Sequence, residues 1–156
     1  MLKGHGSADS QPAGETEQER VYVALLRTAY RLEGEVAARL KPHELTPTQY
    51  NALRILRGAG AEGLPCSEVG ARMINRDPDI TRLVDRLEKR GLVTRRRGKA
   101  DRRVIRAAIA PAGLNLLKGL DEPVRNFLRQ RMGHLATERL HLLSQLLEQA
   151  RTGLPG

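Results

Sequence analysis

Tryptophan is absent from this chain, phenylalanine occurs once, at Phe127, and tyrosine three times, at Tyr22, Tyr30 and Tyr50. A core without many aromatic anchors has to be filled by Leu, Val, Ile and Ala, as helical bundles often are, so the scarcity favours an α-rich fold. Cysteine is nearly absent too. Cys66 has no intrachain partner, which excludes a disulfide-stapled scaffold and agrees with a reducing compartment. No apolar run approaches the ~20 residues of a membrane span, and the first residues lack the apolar segment of a signal peptide, so a cytoplasmic protein with no membrane partner is expected. No Walker loop, nucleophile elbow or dinucleotide fingerprint occurs, and His5, His43, His134 and His141 show neither i, i+4 pairing nor a Cys/His cluster. Neither an enzyme nor a cofactor or metal protein is expected.

Positive charge is what the chain has in excess. It carries 27 lysines and arginines against 18 acids, a net +9. Thirteen of those cations and five of the acids fall between Arg72 and Arg106, so under a quarter of the residues carries +8. Charge gathered on one helix-and-hairpin stretch is the footprint of a polyanion site, whereas the same charge spread evenly would say only that the surface is well solvated.

A chain of 156 residues suits one domain whose core buries roughly 68–70% of the unfolded surface. Residues 1–14 are small, polar and rich in Gly and Pro; a disordered tail is expected there, with a single domain over 15–156. Val21, Tyr22, Leu25, Ala29, Leu32, Val36 and Leu40 recur at helical spacing, which predicts a long amphipathic helix over 17–40 that stops before Lys41-Pro42. Thr46-Pro47-Thr48-Gln49 supplies a cap, a first-turn proline and a capping-box glutamine, opening a second helix that Gly58 and Gly60 close. A two-turn third helix should follow Leu64-Pro65 with Val69, Met73 and Ile74 inward. Asp77-Pro78 is another cap-and-proline start. The fourth helix then runs to about Arg90, burying Ile80, Leu83, Val84 and Leu87 and leaving Asp79, Thr81, Arg82, Asp85, Arg86 and Lys89 outside. Gly91 ends it. Leu92–Arg97 and Arg103–Ile109 form a hairpin with a long tip at 98–102. Pro111 starts a fifth helix to about Gly133, bent or interrupted near Pro123, and Thr137 a Leu-rich sixth to about Arg151.

Two helices joined by a tight turn, the second basic and amphipathic, followed by a hairpin, make a winged helix-turn-helix: a mainly α fold with a small β-hairpin wing. The DNA-binding lobe covers about 45–110, with dimerisation helices at about 17–40 and 111–151. A helix fits the major groove of double-stranded DNA, while a tip of Lys and Arg lies along the backbone or enters the narrower groove. The terminal helices are apolar on more than one side, so a second copy should cover them. Such a homodimer holds its recognition helices roughly 34–36 Å apart, one turn of duplex. Two other readings stay open here: a helical protein–protein adaptor whose basic unit is incidental, and an architectural DNA-binding protein without sequence preference, separable by its specificity ratio.

The runs ITRLVDRLEKRGLVTRR at 80–96, DRRVIRAAI at 101–109 and APAG at 110–113 resemble the signature of the MarR family of bacterial transcriptional regulators, over essentially residues 17–151. The resemblance implies a homodimer held by its first and last helices and bound to a pseudo-palindromic operator; a repressor is expected, with activation left open because the outcome depends on where the operator lies. It also implies a ligand or a redox-active cysteine as the usual modulator. The helix at 78–90 would read the major groove, and Asp101-Arg102-Arg103 would form the wing tip, Asp101 bracing the loop and an arginine entering the minor groove. The chain departs from the family pattern at Pro65 and at Ile109-Ala110, both helix caps, where prolines 65 and 111 supply the starts.

Pro78, Asp79, Thr81, Arg82 and Arg86 are the expected contributions of the recognition helix, Arg82 foremost because it stands in the first turns, where side chains reach base edges. Asp79 has two roles open to it: accepting from a cytosine amino group, or stabilising the helix N-terminus. Arg82 could instead pair with Asp79 or Asp85 three residues away. On the wing, Arg102 and Arg103 are candidates for the minor groove, with Arg95, Arg96, Arg97 and Lys99 at phosphates. The ligand pocket implied by the resemblance lies between the dimer helices and the DNA-binding lobe. Tyr22, Tyr30, His43 and Tyr50 are polar-tipped candidates to line it, or else half-buried packing residues. Cys66, at the start of the third helix, is expected to pack or begin that helix, although a helix N-terminus lowers a thiol pKa and leaves reactivity open.

Overall fold

Thr16 opens the first helix, α1 (Glu17–Leu40), with a capping box in which its hydroxyl accepts from the Glu19 N–H and the Glu19 carboxylate accepts from the Thr16 backbone N–H. This computed structural model describes residues 16–75, 79–98 and 103–154. A 3-10 turn at Lys41–His43 follows α1, and Glu44, in the left-handed region at φ 52°, reverses the chain. The predicted capping box of α2 (Pro47–Gly58) is present, Thr46 and Gln49 exchanging hydrogen bonds of 3.1 Å in both directions. Next come β1 (Leu64–Pro65), α3 (Cys66–Arg72), α4 (Ile80–Lys89), β2 (Val93–Arg97), β3 (Ile105–Ile109), α5 (Pro111–Met132) and α6 (Thr137–Thr152). The strands form one antiparallel sheet in the order β1-β3-β2, with Val93 opposite Ile109 and Arg97 opposite Ile105.

The hairpin between α4 and α5 is as expected, but β1 is an addition. Two residues cannot show alternation, and Pro65 is tolerated because it lies on an edge strand, where its missing N–H breaks no ladder. Gly63 makes the approach possible: at φ 62°, a β-carbon there would stand 2.0 Å from the Ala107 carbonyl oxygen. Neither α3 nor α5 has a side-chain cap at its N-terminus; Pro111 supplies the start of α5 as its first residue, whereas Pro65 precedes α3 as the last residue of β1.

Leu40, Leu53, Leu56, Val69, Val84, Leu87 and Leu117 are wholly buried, so the core lies where the end of α1, α2, α3, α4 and the first half of α5 converge behind the basic helix. Three expectations are corrected. The fourth helix starts not at Pro78 but at Ile80: Asp79 caps it, Oδ1 accepting from the Arg82 N–H at 3.2 Å, while Asp77 and Pro78 lie outside the described residues. Ile74, expected inward, is 82% exposed, because α3 ends at Arg72 and the helical period ends with it. The fifth helix is not interrupted at Pro123 but runs on as one helix, and it buries Leu117, Leu120, Val124 and Phe127 within its own chain. α6 differs: none of its residues is buried, and α1 buries only Leu40. The tail expected at 1–14 lies outside the described residues. Among them, no helix is long and apolar enough to cross a membrane.

Candidate nucleic-acid interface

α4 is divided by its own period. Leu83, Val84 and Leu87 are buried, whereas Thr81, Arg82, Arg86 and Lys89 are exposed on the other side. Asp79 serves the helix N-terminus, and its Oδ2 also forms an ion pair with Arg82 Nε at 3.0 Å. An i, i+3 pair of this kind contributes only about 0.2–0.5 kcal/mol, little beside the ~1–3 kcal/mol of discrimination from a bidentate base contact. The pair therefore leaves Arg82 available to a base. Arg86 and Lys89 make no hydrogen bond or ion pair among the described residues.

The wing is tied to this helix by Arg95. Expected at a phosphate, its guanidinium instead lies between two α4 carboxylates: Nε donates to Glu88 Oε2 at 2.7 Å, and Nη1 forms an ion pair with Asp85 Oδ1. The Arg95 backbone N–H adds a third link, to Glu88 Oε1 at 3.1 Å. The Asp85 contact is an ion pair without a well-directed hydrogen bond. Arg96 donates to the Ala61 carbonyl at 3.2 Å, and Arg106 to those of Glu62 and Gly63 at 3.2 and 2.7 Å. These bonds occupy the guanidinium groups yet neutralise no charge. Arg97 is exposed without a partner among the described residues, and Arg103 is exposed at the far side of the hairpin. The Gly98 N–H donates to Val104 O at 2.8 Å, extending the hairpin one step past its strands. Lys99, Asp101 and Arg102 lie outside the described residues.

Cys66 packs half-buried against the core. Burial pushes its thiol pKa up by more than the neighbouring Arg95 cation lowers it, so the lowering expected at a helix start is not realised and the packing role stands. A cavity of about 340 Å³ opens between α1, α2, α5 and the segment after α3, with Leu32, Val36, Met73 and Leu128 among its walls and Tyr50, Asn51, Arg54 and Asn75 among its polar lining. Of the four expected lining residues, only Tyr50 is there. α1 turns Ala29, Leu32 and Val36 to the cavity, and Tyr30 stands about 100° round the helix from Ala29, 81% exposed. Tyr22 is exposed as well, and His43 sits in the exposed 3-10 turn. Asn51, Arg54 and Asn75 carried no signal in the sequence, being isolated polar residues. Asn51 Oδ1 accepts the Ile74 N–H at 2.9 Å, joining the cavity wall to the segment that leads towards α4.

Comparison with known proteins gives these features a context. The family model of the MarR family matches residues 45–105. The chain is 27% identical over 140 residues, 89% of it and 94% of the relative, to the HTH-type transcriptional regulator MhqR of Bacillus subtilis (strain 168). A solved MarR transcription factor from Planctomyces limnophilus is 41% identical, the match covering 86% of this chain and 98% of that one with a TM-score of 0.66. The structure of CouR from Rhodococcus jostii RHA1 bound to p-coumaroyl-CoA is 25% identical, covers 87% and 94%, and gives a TM-score of 0.76.

Proposed function

The chain belongs to the MarR family of DNA-binding transcriptional regulators, and from that premise we propose that it is a cytoplasmic homodimer that represses transcription by occupying a pseudo-palindromic operator. One observation carries the proposal: the helix exposing Thr81, Arg82 and Arg86 is joined through Arg95 to the hairpin beside it, so helix and wing meet a duplex as one body. Thr81, Arg82 and Arg86 read base edges, Arg97 and Lys99 meet phosphates, Arg96 stays on the Ala61 carbonyl rather than at a phosphate, and Arg102 and Arg103 enter the minor groove from a tip braced by Asp101. Asp79 caps the helix at the groove, and Arg95 acts from behind as the brace.

The uncovered terminal helices support the dimer. Val21, Tyr22 and Leu26 of α1 and Leu142 and Leu146 of α6 are each more than half exposed, a liability in a monomer and the usual mark of an interface. A dimer seated across a promoter represses by excluding the polymerase.

Sedimentation equilibrium and fluorescence anisotropy on a duplex recovered by selection from genomic DNA test the proposal. Twice the chain mass is expected, as is a loss of about 1–3 kcal/mol for Arg82→Ala with relaxed discrimination at one base pair. A monomer, or an Arg82→Ala loss equal on every sequence, overturns it. The cavity favours a small-molecule effector as a further partner, a reading supported by the ligand held in CouR. A ligand that favours one arrangement of Met73–Asn75 would shift DNA affinity through its differential affinity for the two states.

A further inference from the structure

We propose that Arg90 is a positioning residue for DNA recognition, one that fixes the carboxyl end of α4 to the end of α1 and makes no contact with the duplex. This role rests on the DNA-binding function proposed above. Arg90 follows the last residue of α4 and belongs by charge to the basic run, so by composition it counts as a phosphate ligand. Its geometry assigns it elsewhere. Nη1 donates to the Glu44 carbonyl at 2.6 Å and Nη2 to the His43 carbonyl at 3.0 Å, a two-pronged bond across 46 and 47 residues of sequence.

The acceptors are held in place independently of Arg90. Glu44 N–H donates to Lys41 O at 3.0 Å and Leu45 N–H to Leu40 O at 3.3 Å, with Leu40 and Leu45 at 0% and 5% exposure on either side of the turn. Glu44 takes a left-handed backbone in this anchored turn, and its carbonyl and that of His43 both accept from the one planar guanidinium. A phosphate could draw Arg90 away only by leaving two carbonyls without their donor. The carboxyl end of a helix also carries the negative pole of its dipole, which disfavours a phosphate there.

The consequence lies at the other end of α4. The helix is only ten residues long, Ile80–Lys89, about 15 Å at 1.5 Å per residue, so a tilt at its anchored end moves Thr81 and Arg82 against the base edges. The Arg90 fork ties that tilt to α1, the helix whose exposed apolar face is assigned to the dimer. Orientation of each recognition helix is thereby set relative to the partner copy as well as to its own lobe.

Anisotropy titrations of a selected operator duplex and of a duplex with one altered half-site, across about 50–200 mM salt, test this with full-length wild type, Arg90→Gln, Arg90→Lys and Arg97→Gln, below the melting transition of each. Wild-type binding establishes the DNA-binding function itself; its failure there would remove that function, and only with it the role of Arg90. With wild type binding, Arg90→Gln should weaken the operator about tenfold or more at every salt concentration, with the slope of log K against log [salt] unchanged and discrimination between the duplexes reduced. Arg90→Lys, which keeps the charge but not the fork, should behave alike and serves if the Gln variant does not fold. Arg97→Gln should flatten the slope by about 0.9 for each phosphate that the arginine neutralises in wild type. A flattened slope in Arg90→Gln with wild-type behaviour in Arg90→Lys would make Arg90 a phosphate ligand and overturn the proposal, as would wild-type affinity in both Arg90 variants.

Discussion

Replacing Arg95 by Met removes a charge from the basic unit while keeping the apolar stem, and the expected damage is to the protein before it is to DNA binding. The substitution deletes the bond to Glu88 Oε2 and the ion pair with Asp85, but leaves the Arg95 backbone N–H on Glu88 Oε1. The three side chains are 29%, 35% and 37% exposed, so solvent screens each pair and about 0.2–1 kcal/mol apiece is appropriate. Asp85 and Glu88, three residues apart on one helix face, are then left as unneutralised like charges, adding a few tenths. The total is about 1–2 kcal/mol. At ~2–4 °C per kcal/mol for a chain of this size, Tm should fall by about 2–8 °C at fixed protein concentration. A double-mutant cycle with Glu88→Gln should return a coupling of roughly 0.3–1 kcal/mol from urea unfolding, the share of this one pair. Operator affinity should fall because the wing loosens, with no change in salt slope. An unaltered Tm, a coupling under about 0.3 kcal/mol and a slope flattened by ~0.9 per phosphate would together refute the brace and return Arg95 to the phosphates.

Two glycines of α5 should respond with opposite signs to the same substitution. A β-carbon at Gly119 meets nothing within 4 Å, so Gly119→Ala should stabilise by about 0.5–1 kcal/mol. At Gly113 it would lie 2.4 Å from the Leu92 carbonyl oxygen and 2.9 Å from Ile109 Cγ1, so Gly113→Ala should destabilise by roughly 1–3 kcal/mol as α5 is pushed off the wing root; equal signs in thermal melts would contradict this close approach. The Arg57 guanidinium, bonded to both Asp121 oxygens at 3.0 and 2.8 Å, holds that carboxyl below its usual range. A carboxylate lowered in the folded state contributes stability above its unfolded pKa and loses it as pH falls through the folded value. Unfolding free energy of wild type should therefore drop more steeply below about pH 4 than that of Asp121→Asn, and parallel curves would deny the link between α2 and α5.

Elements with local signals were legible in the sequence. The box Thr46–Gln49 announces α2 because both partners of the cap lie within four residues, and α1 declares itself through a sustained apolar period. What failed depended on partners distant in sequence or on competing local signals. β1 exists only because Leu64 meets Ala107, 43 positions later. In Asp77-Pro78-Asp79 the proline favours the first aspartate as cap, yet the second one caps α4, and the local rule has no means of choosing between two acids so close together. Ile74 shows a period carried past the end of its helix. The interface itself was legible as a place but not as a division of labour: a count of charges cannot tell that Arg90 faces Glu44 or that Arg106 faces Glu62.

That division matters for how a strongly basic unit stays folded and still attracts DNA. Neutralising its arginines with carboxylates would anchor the helix and wing but cancel the field that steers a polyanion in. Leaving them all unengaged would keep the field but let like charges repel across a small hairpin. Arg90, Arg96 and Arg106 donate to backbone carbonyls instead, which fixes geometry and retains each positive charge. Arg95, at the junction of helix and wing, is held by two carboxylates. The long-range attraction thus counts every cation, whereas the salt slope counts only those that meet phosphate, so the slope per subunit should fall well short of the local charge of +8. A slope that matched the full charge would mean that the carbonyl-bonded arginines let go on binding, and the anchoring described for Arg90 would fail with it.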